Sequence, residues 1–202
     1  MMRSLWDMAL EAGIHILTGA EVSGYEEATT GVRLQVKGQS PTDTMQIEAR
    51  TIGICTNGFT RKLFPEVPLY PGRGLVLVTS PIDQLRFRGT FHMERGYYYF
   101  RNIGNRVLFG GGRHLQMEEE TTTEFGENPI IREKLEYYLN ELILPGESYE
   151  ITHSWSGIMA FGRNKTPFLK EHKPNIFMGV RLGGMGVAIG THIGQKLAEM
   201  MT

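Results

Sequence analysis

The spacing of apolar and polar positions divides the chain into short elements. In residues 2–12, Leu5, Met8, Ala9 and Ala12 fall on one helical face, and Gly13 is a natural stop. Ile14 to Leu17 reads as a short buried strand. Polar-alternating segments near 20–25, 31–37 and 44–50 predict a small β-meander, with VRLQV the cleanest alternation. TIGICT (51–56) is nearly all apolar, the pattern of a central strand. Residues 57–72 hold Asn57-Gly58, Pro65, Pro68, Pro71 and Gly72, and so form a turn-rich crossover.

Beyond the crossover, GLVLVTS (74–80) is a strand, and residues 91–112 form two meander strands joined at Ile103-Gly104-Asn105. The polar stretch 115–127, which includes Glu118 to Glu120, reads as a solvated loop. Asn128 caps a helix with Pro129 at its first position, and that helix runs to Pro145. Tyr149 to Phe161 is a long strand with a kink at Gly157, residues 162–174 are a loop, and NIFMGV (175–180) is a strand. A glycine cluster at 183, 184, 186, 190 and 194 then leads into a final helix. Glycine costs about 1 kcal/mol relative to alanine inside a helix, so this density marks a close approach of backbone to something else. The order predicts a parallel layer interrupted by a mostly antiparallel insertion, a mixed α+β chain.

Composition narrows the chemistry. The chain has 202 residues, 41% of them hydrophobic, with a formal net charge of −1. That balance supplies no clustered basic field for nucleic acid or an anionic membrane. The single cysteine, Cys55, excludes an internal disulfide framework, fits a reducing cytosol and reads as buried and inert. No apolar run is long enough for a membrane-spanning helix, and no signal peptide is visible. A cytoplasmic location is expected. The six histidines lack metal-ligand spacing, so no metal site is assigned. Ser154-Trp155-Ser156-Gly157 lacks the first glycine of a nucleophile elbow.

A strand, glycine turn and helix together present unpaired N–H groups and the positive end of a helix dipole to a ligand. Gly183, Gly184 and Gly186 would admit a flat ligand, while Val187, Ile193 and Leu197 would pack the helix on a sheet. The spacing departs from the G-x-G-x-x-G fingerprint. Glycine spacing alone favours the plainer reading, a helix start packed tightly on a neighbour.

Four blocks in order alter that balance: CTNGFTRKLFPEVPLYPGRGLVLVT (55–79), GTFHMERGYYYFRNIGNRVLFGGGR (89–113), WSGIMAFGRNKTPFL (155–169) and GVRLGGMGVAIGTHIG (179–194). Together they resemble the FAD-dependent oxidoreductases of the D-amino-acid oxidase superfamily, which includes glycine, sarcosine and gamma-glutamylputrescine oxidases. The resemblance implies oxidation of an amine or amino-acid C–N bond by hydride transfer to a non-covalently held FAD. Residues 1–71 and 171–202 would be a partial FAD-binding layer, and 72–170 an antiparallel substrate subdomain. The turn Gly183, Gly184, Met185, Gly186, Val187 and Ala188 would face the flavin ring, Thr56, Asn57 and Gly58 would line the cofactor, and Trp155 and Gly157 would cover it.

The substrate side would comprise Met159, Arg73, Tyr97, Tyr98, Tyr99 and Arg101. Alternation puts Tyr97, Tyr99 and Arg101 on one face and Tyr98 with Phe100 on the other. An arginine beside aromatics suits a substrate carboxylate, and a tyrosine-rich sheet with a surface arginine fits the pattern as well. Arg73 equally suits a loop tie. Gly184 and Ala188 occupy positions where some relatives carry a lysine or arginine, and the loop after Trp155 lacks the cysteine that attaches flavin in others. Residues 1–60 supply no pyrophosphate loop. The expectation is therefore a C-terminal portion of a longer oxidase that holds FAD weakly or not at all, is inactive alone, and self-associates through its incomplete layer. The alternative is a non-catalytic α+β binding or subunit module.

Overall fold

The computed structural model describes residues 2–40 and 42–202. Helix α1 spans Met2–Glu11. It ends where Gly13 takes φ +77°. Gly13 N donates to Leu10 O and Ile14 N to Ala9 O at 2.9 and 3.0 Å, the paired closing bonds that a left-handed glycine permits. No α1 residue is buried. The buried strand expected at Ile14 to Leu17 does not form, since this run is irregular and Ile14 and Leu17 are 56% and 60% exposed. An apolar run becomes a strand only when a neighbour satisfies its backbone.

The meander forms as expected, with β1 (Glu21–Ala28), β2 (Gly31–Lys37) and β3 (Thr44–Ala49) in one antiparallel sheet. A second sheet has the order β10 (Phe168–Lys173), β11 (Ile176–Val180), β4 (Ile52–Ile54). Two expectations change here. The TIGICT strand shrinks to three residues and lies at the edge of this sheet, parallel to β11. The loop expected at 162–174 contains β10, antiparallel to β11. Its polar sequence FLKEHK hides it, because pairing with an all-buried neighbour rather than its own alternation makes it a strand. Cys55, at the end of β4, is exposed rather than buried, although nearby atoms desolvate the thiol and push its pKa up.

Helix α3 (Gly186–Met201) closes one face of this sheet. A Cβ on Gly179 would lie 3.2 Å from Leu197 Cδ2 and 3.3 Å from Ile193 Cγ2, so glycine sets the approach. Leu197 is buried, whereas Val187 is 78% exposed and does not pack on the sheet. The opposite face buries Ile52, Ile54, Ile176, Met178 and Val180 against Phe64, Val67 and Val32 of the meander.

The third sheet has five antiparallel strands in the order β6 (Thr90–Met93), β7 (Tyr98–Ile103), β8 (Arg106–Gly111), β5 (Tyr70–Thr79), β9 (Ile151–Phe161). The expected first meander strand is cut in two by a turn at Glu94–Gly96, where Glu94 and Arg95 take φ +46° and +60°. Gly157 stays in register with Gly74, so no register break occurs there; the irregularity lies between Val78 and Thr79 on β5. Helix α2 (Pro129–Tyr138) starts at its asparagine cap and continues as a wider turn over Leu139–Ile143. Its Ile131 and Leu135, with Leu139, pack on Leu75, Leu77, Tyr98, Val107 and Phe109. Each such side chain contributes about 1.5–3 kcal/mol through burial. No helix among the described residues is long and apolar enough to cross a membrane.

Candidate functional site at the glycine corner

Three separated segments meet at the start of α3. Asn57 takes φ +44°, and its Oδ1 accepts bonds from the backbone N of Arg181 at 3.1 Å and of Leu182 at 3.4 Å. Gly183 N donates to Ala160 O at 2.9 Å. A Cβ on Gly58 would lie 2.9 Å from Met159 O, so only glycine lets this turn meet β9. Thr60 Oγ1 donates to Asn57 O at 2.7 Å and lies 3.1 Å from Thr56 Oγ1, which fixes the turn from behind. The segments 56–58, 158–160 and 181–184 are thus tied by the short Asn57 side chain, one main-chain bond and one close backbone approach.

The glycine turn is left open where a ligand would enter. Gly183 and Gly184 take φ +58° and +80°. A Cβ on Gly183 would meet nothing within 4 Å, and one on Gly184 would touch only Met159 Sδ, at 3.4 Å. The α3 N-terminus has no side-chain cap. Met185 N and Ala188 N are used locally, but the amides of Gly184, Gly186 and Val187 find no acceptor among the described residues. Unpaired amides at the positive end of a helix favour an electron-rich atom.

The register of the large sheet decides which residues face this corner. His92, Tyr99, Gly110, Val76 and Trp155 are cross-strand partners in one row; Thr90, Arg101, Leu108, Val78 and His153 form another on the same face. Gly74 faces Gly157 and Gly72 faces Met159 in the same alternation. This face is open: Trp155 is 46% exposed, and a Cβ on Gly157 would enter empty space. Met159 joins the face to the corner, its Cε 2.8 Å from where Gly74 would carry a Cβ and its Sδ beside Gly184. Burial pushes the Tyr99 phenol pKa up.

Two residues expected on the substrate side go elsewhere. Tyr98 is fully buried in the α2 core, because the odd–even alternation that exposes Tyr99 turns it inward. Arg73 points to the same hidden face, where Glu120 Oε1 lies 2.6 Å from its Nη2. The expected solvated run at Glu118 to Glu120 therefore contains a buried acid, which sequence reasoning missed because three consecutive glutamates carry no burial pattern. Tyr97 lies just outside β7, half-exposed, with its ring 4.1 Å from that of His114. Arg101 shares the open face, although its Nε donates to the neighbouring Asn102 O at 3.2 Å. Arg181 was also missed: at φ +65° it is held by Thr166 O, Pro68 O and Asn164 Oδ1 at 3.0, 3.1 and 3.2 Å.

A helix opening on uncapped amides thus lies beside a sheet face that is open at Gly157 and Trp155. The family model of FAD dependent oxidoreductases (DAO) matches residues 1–200, and the chain belongs to that family. The fold is shared with solved structures of low sequence identity. Glycine oxidase from Geobacillus kaustophilus superposes with a TM-score of 0.78 at 19% identity, over 96% of this chain and 50% of that one. L-proline dehydrogenase from P. horikoshii gives 0.76 at 17%, over 96% and 52%. Iminodiacetate oxidase from Chelativorans sp. BNC1 gives 0.76 at 16%, over 98% and 53%. The chain spans about half the length of each of these proteins.

Proposed function

We propose that this chain forms the ring-facing and substrate-facing part of an FAD-dependent oxidoreductase that oxidises the C–N bond of an amino acid or amine. The observation that carries this reading is the set of three free amides on the glycine turn, set beside an open sheet face. These groups fit the pyrimidine edge of a flavin, because neither a cap nor a Cβ obstructs them. The chemistry FAD supplies is acceptance of hydride from the carbon that bears nitrogen, leaving an imine for hydrolysis.

The chain's own residues would bind and orient. Gly184, Gly186 and Val187 offer N–H groups to developing negative charge, in the manner of an oxyanion hole. Asn57 and Gly58 hold the turn at the correct distance from β9. Gly157 and Trp155 provide a flat, partly apolar wall, bordered by Tyr99 and by Met159, whose Cε covers Gly74. No side chain is assigned as acid or base, since an amine that binds neutral needs none. The partial FAD layer would comprise residues 1–71 and the C-terminal segment. Because β10 crosses position 170, we draw the junction in the loop at 162–167 instead.

The test is a titration of the purified chain, in a Trp6→Phe background, with FAD, followed by flavin absorption and by Trp155 fluorescence. Weak, saturable binding is expected. Gly184→Val is expected to abolish it, because it places a β-branched side chain at φ +80° and fills the cradle. A chain that neither takes up FAD nor does so when supplied with a pyrophosphate-binding segment from a relative would leave a non-catalytic module as the reading.

A further inference from the structure

We infer that Met159 is an oxidation site, and that its sulfoxide closes the glycine corner by supplying the acceptor that the start of α3 lacks. This names a regulation of the site proposed above and rests on that reading for its consequence. The oxidation and the closure themselves concern only this chain's own atoms.

Strand alternation from Trp155 through Gly157 sends the Met159 side chain to the open face. Its Cε packs over Gly74, 2.8 Å from where a Cβ would stand. Its Sδ reaches the other side of the seam, 3.4 Å from the corresponding point on Gly184. The backbone behind it is tied: Ala160 O accepts from Gly183 N at 2.9 Å, and Met159 O lies 2.9 Å from the Cβ point of Gly58. With its methyl packed and its strand fixed, an atom added to the sulfur projects into the opening. There a Cβ on Gly183 or Gly157 would meet nothing within 4 Å. Met159 is half-buried, so a small oxidant reaches the sulfur while bulk water does not freely hydrate the product.

A thioether is a weak acceptor, and the amides of Gly184, Gly186 and Val187 find no acceptor among the described residues. A peroxide such as hydrogen peroxide turns the sulfur into a polar sulfoxide, whose oxygen accepts strongly. The O–O bond of the peroxide breaks and an S–O bond forms. The sulfur loses two electrons, the peroxide gains them, and the second oxygen leaves as water with both protons. A half-buried sulfoxide requires donors, and the unpaired amides at a helix start require an acceptor. One contact meets both needs, and it takes donors that a ligand would use. Met185 is the other methionine at the turn. It is 50% exposed, so solvent satisfies its sulfoxide and the amides stay free.

The experiment treats the whole chain, labelled with nitrogen-15, with hydrogen peroxide. Peptide mass mapping locates the added oxygen, and the Gly184, Gly186 and Val187 amide resonances report the turn. One oxygen on Met159 is expected, with a downfield shift and about tenfold slower hydrogen exchange at one or more of these amides. Reduction by methionine sulfoxide reductase should reverse both. Met159→Leu, which nearly conserves volume, should abolish the amide response, and Met185→Leu should leave it intact. A Met159 sulfoxide with all three amides unmoved would overturn the inference, and that reading requires no variant. So would a response that persists in Met159→Leu or vanishes in Met185→Leu, or a Met159 still reduced once Met2 and Met8 are fully oxidised. FAD titration separates the two readings. Uptake by the untreated chain that weakens about tenfold on oxidation supports both, and uptake undiminished by the Met159 sulfoxide refutes the closure. No uptake by the untreated chain, with the amide response present, sinks the flavin reading and leaves the closure standing.

Discussion

Arg73 and Glu120 show how a single contact can reverse a residue's reading. Their side chains are 14% and 2% exposed, respectively, and Arg73 N also donates to Glu120 O at 2.8 Å. The pair pins the 115–127 loop to the edge of β5. Arg73→Met is expected to cost about 3–5 kcal/mol in urea denaturation, because it strands a buried carboxylate. Adding Glu120→Gln should recover part of that loss. Tyr98 offers a second test. Its hydroxyl is buried without a partner, and burial, with a smaller contribution from Glu94, pushes its pKa up to about 12. The unfolded tyrosine ionises near 10. Between pH 10 and 12 the unfolded state therefore binds fewer protons, and stability falls as pH rises. Tyr98→Phe should flatten that decline and be neutral or stabilising by about 1 kcal/mol at pH 7, since it removes an unmade hydrogen bond.

Helix α2 was legible in the sequence because its start has a local cause. Asn128 Oδ1 accepts from Ile130 N at 3.0 Å and from Ile131 N at 3.4 Å. Asn128→Ala is expected to lower stability by about 1–2 kcal/mol, readable as a shift in Tm. The meander and β11 were legible for the same kind of reason, namely clean alternation in one case and an unbroken apolar run in the other. β10 and the division at Glu94–Gly96 were not. A polar strand at a sheet edge and two left-handed non-glycine residues are imposed by neighbours, and nothing within five or six residues of sequence encodes them. At the site, the glycine corner was readable from its spacing and block order, whereas the partners of Asn57 and Arg73 lie 124 and 47 positions away in the chain.

At the scale of the whole molecule, α1 stands apart. Leu5, Trp6, Met8 and Leu10 are 43%, 43%, 62% and 51% exposed, so the helix is amphipathic without a core to join. Leu5→Ala should change stability by no more than about 0.5 kcal/mol. Self-association through this face, expected from the sequence, would show as concentration-dependent sedimentation that Leu5→Glu with Met8→Glu reduces, and a chain that sediments as a monomer throughout would refute it. Unchanged association in the double variant would place the contact elsewhere. The amino-acid sequence by itself determined the helices at 2–12 and from 129, the meander, the strand before the final helix and the glycine-rich opening of that helix, because each depends on periodicity, caps or backbone freedom within a few residues. Only the tertiary structure decided that Tyr98 and Arg73 turn away from the open face while Tyr99 and Met159 stay on it. Those outcomes follow from strand register and from which sheet face α2 covers, and both are set by contacts between segments far apart in the chain.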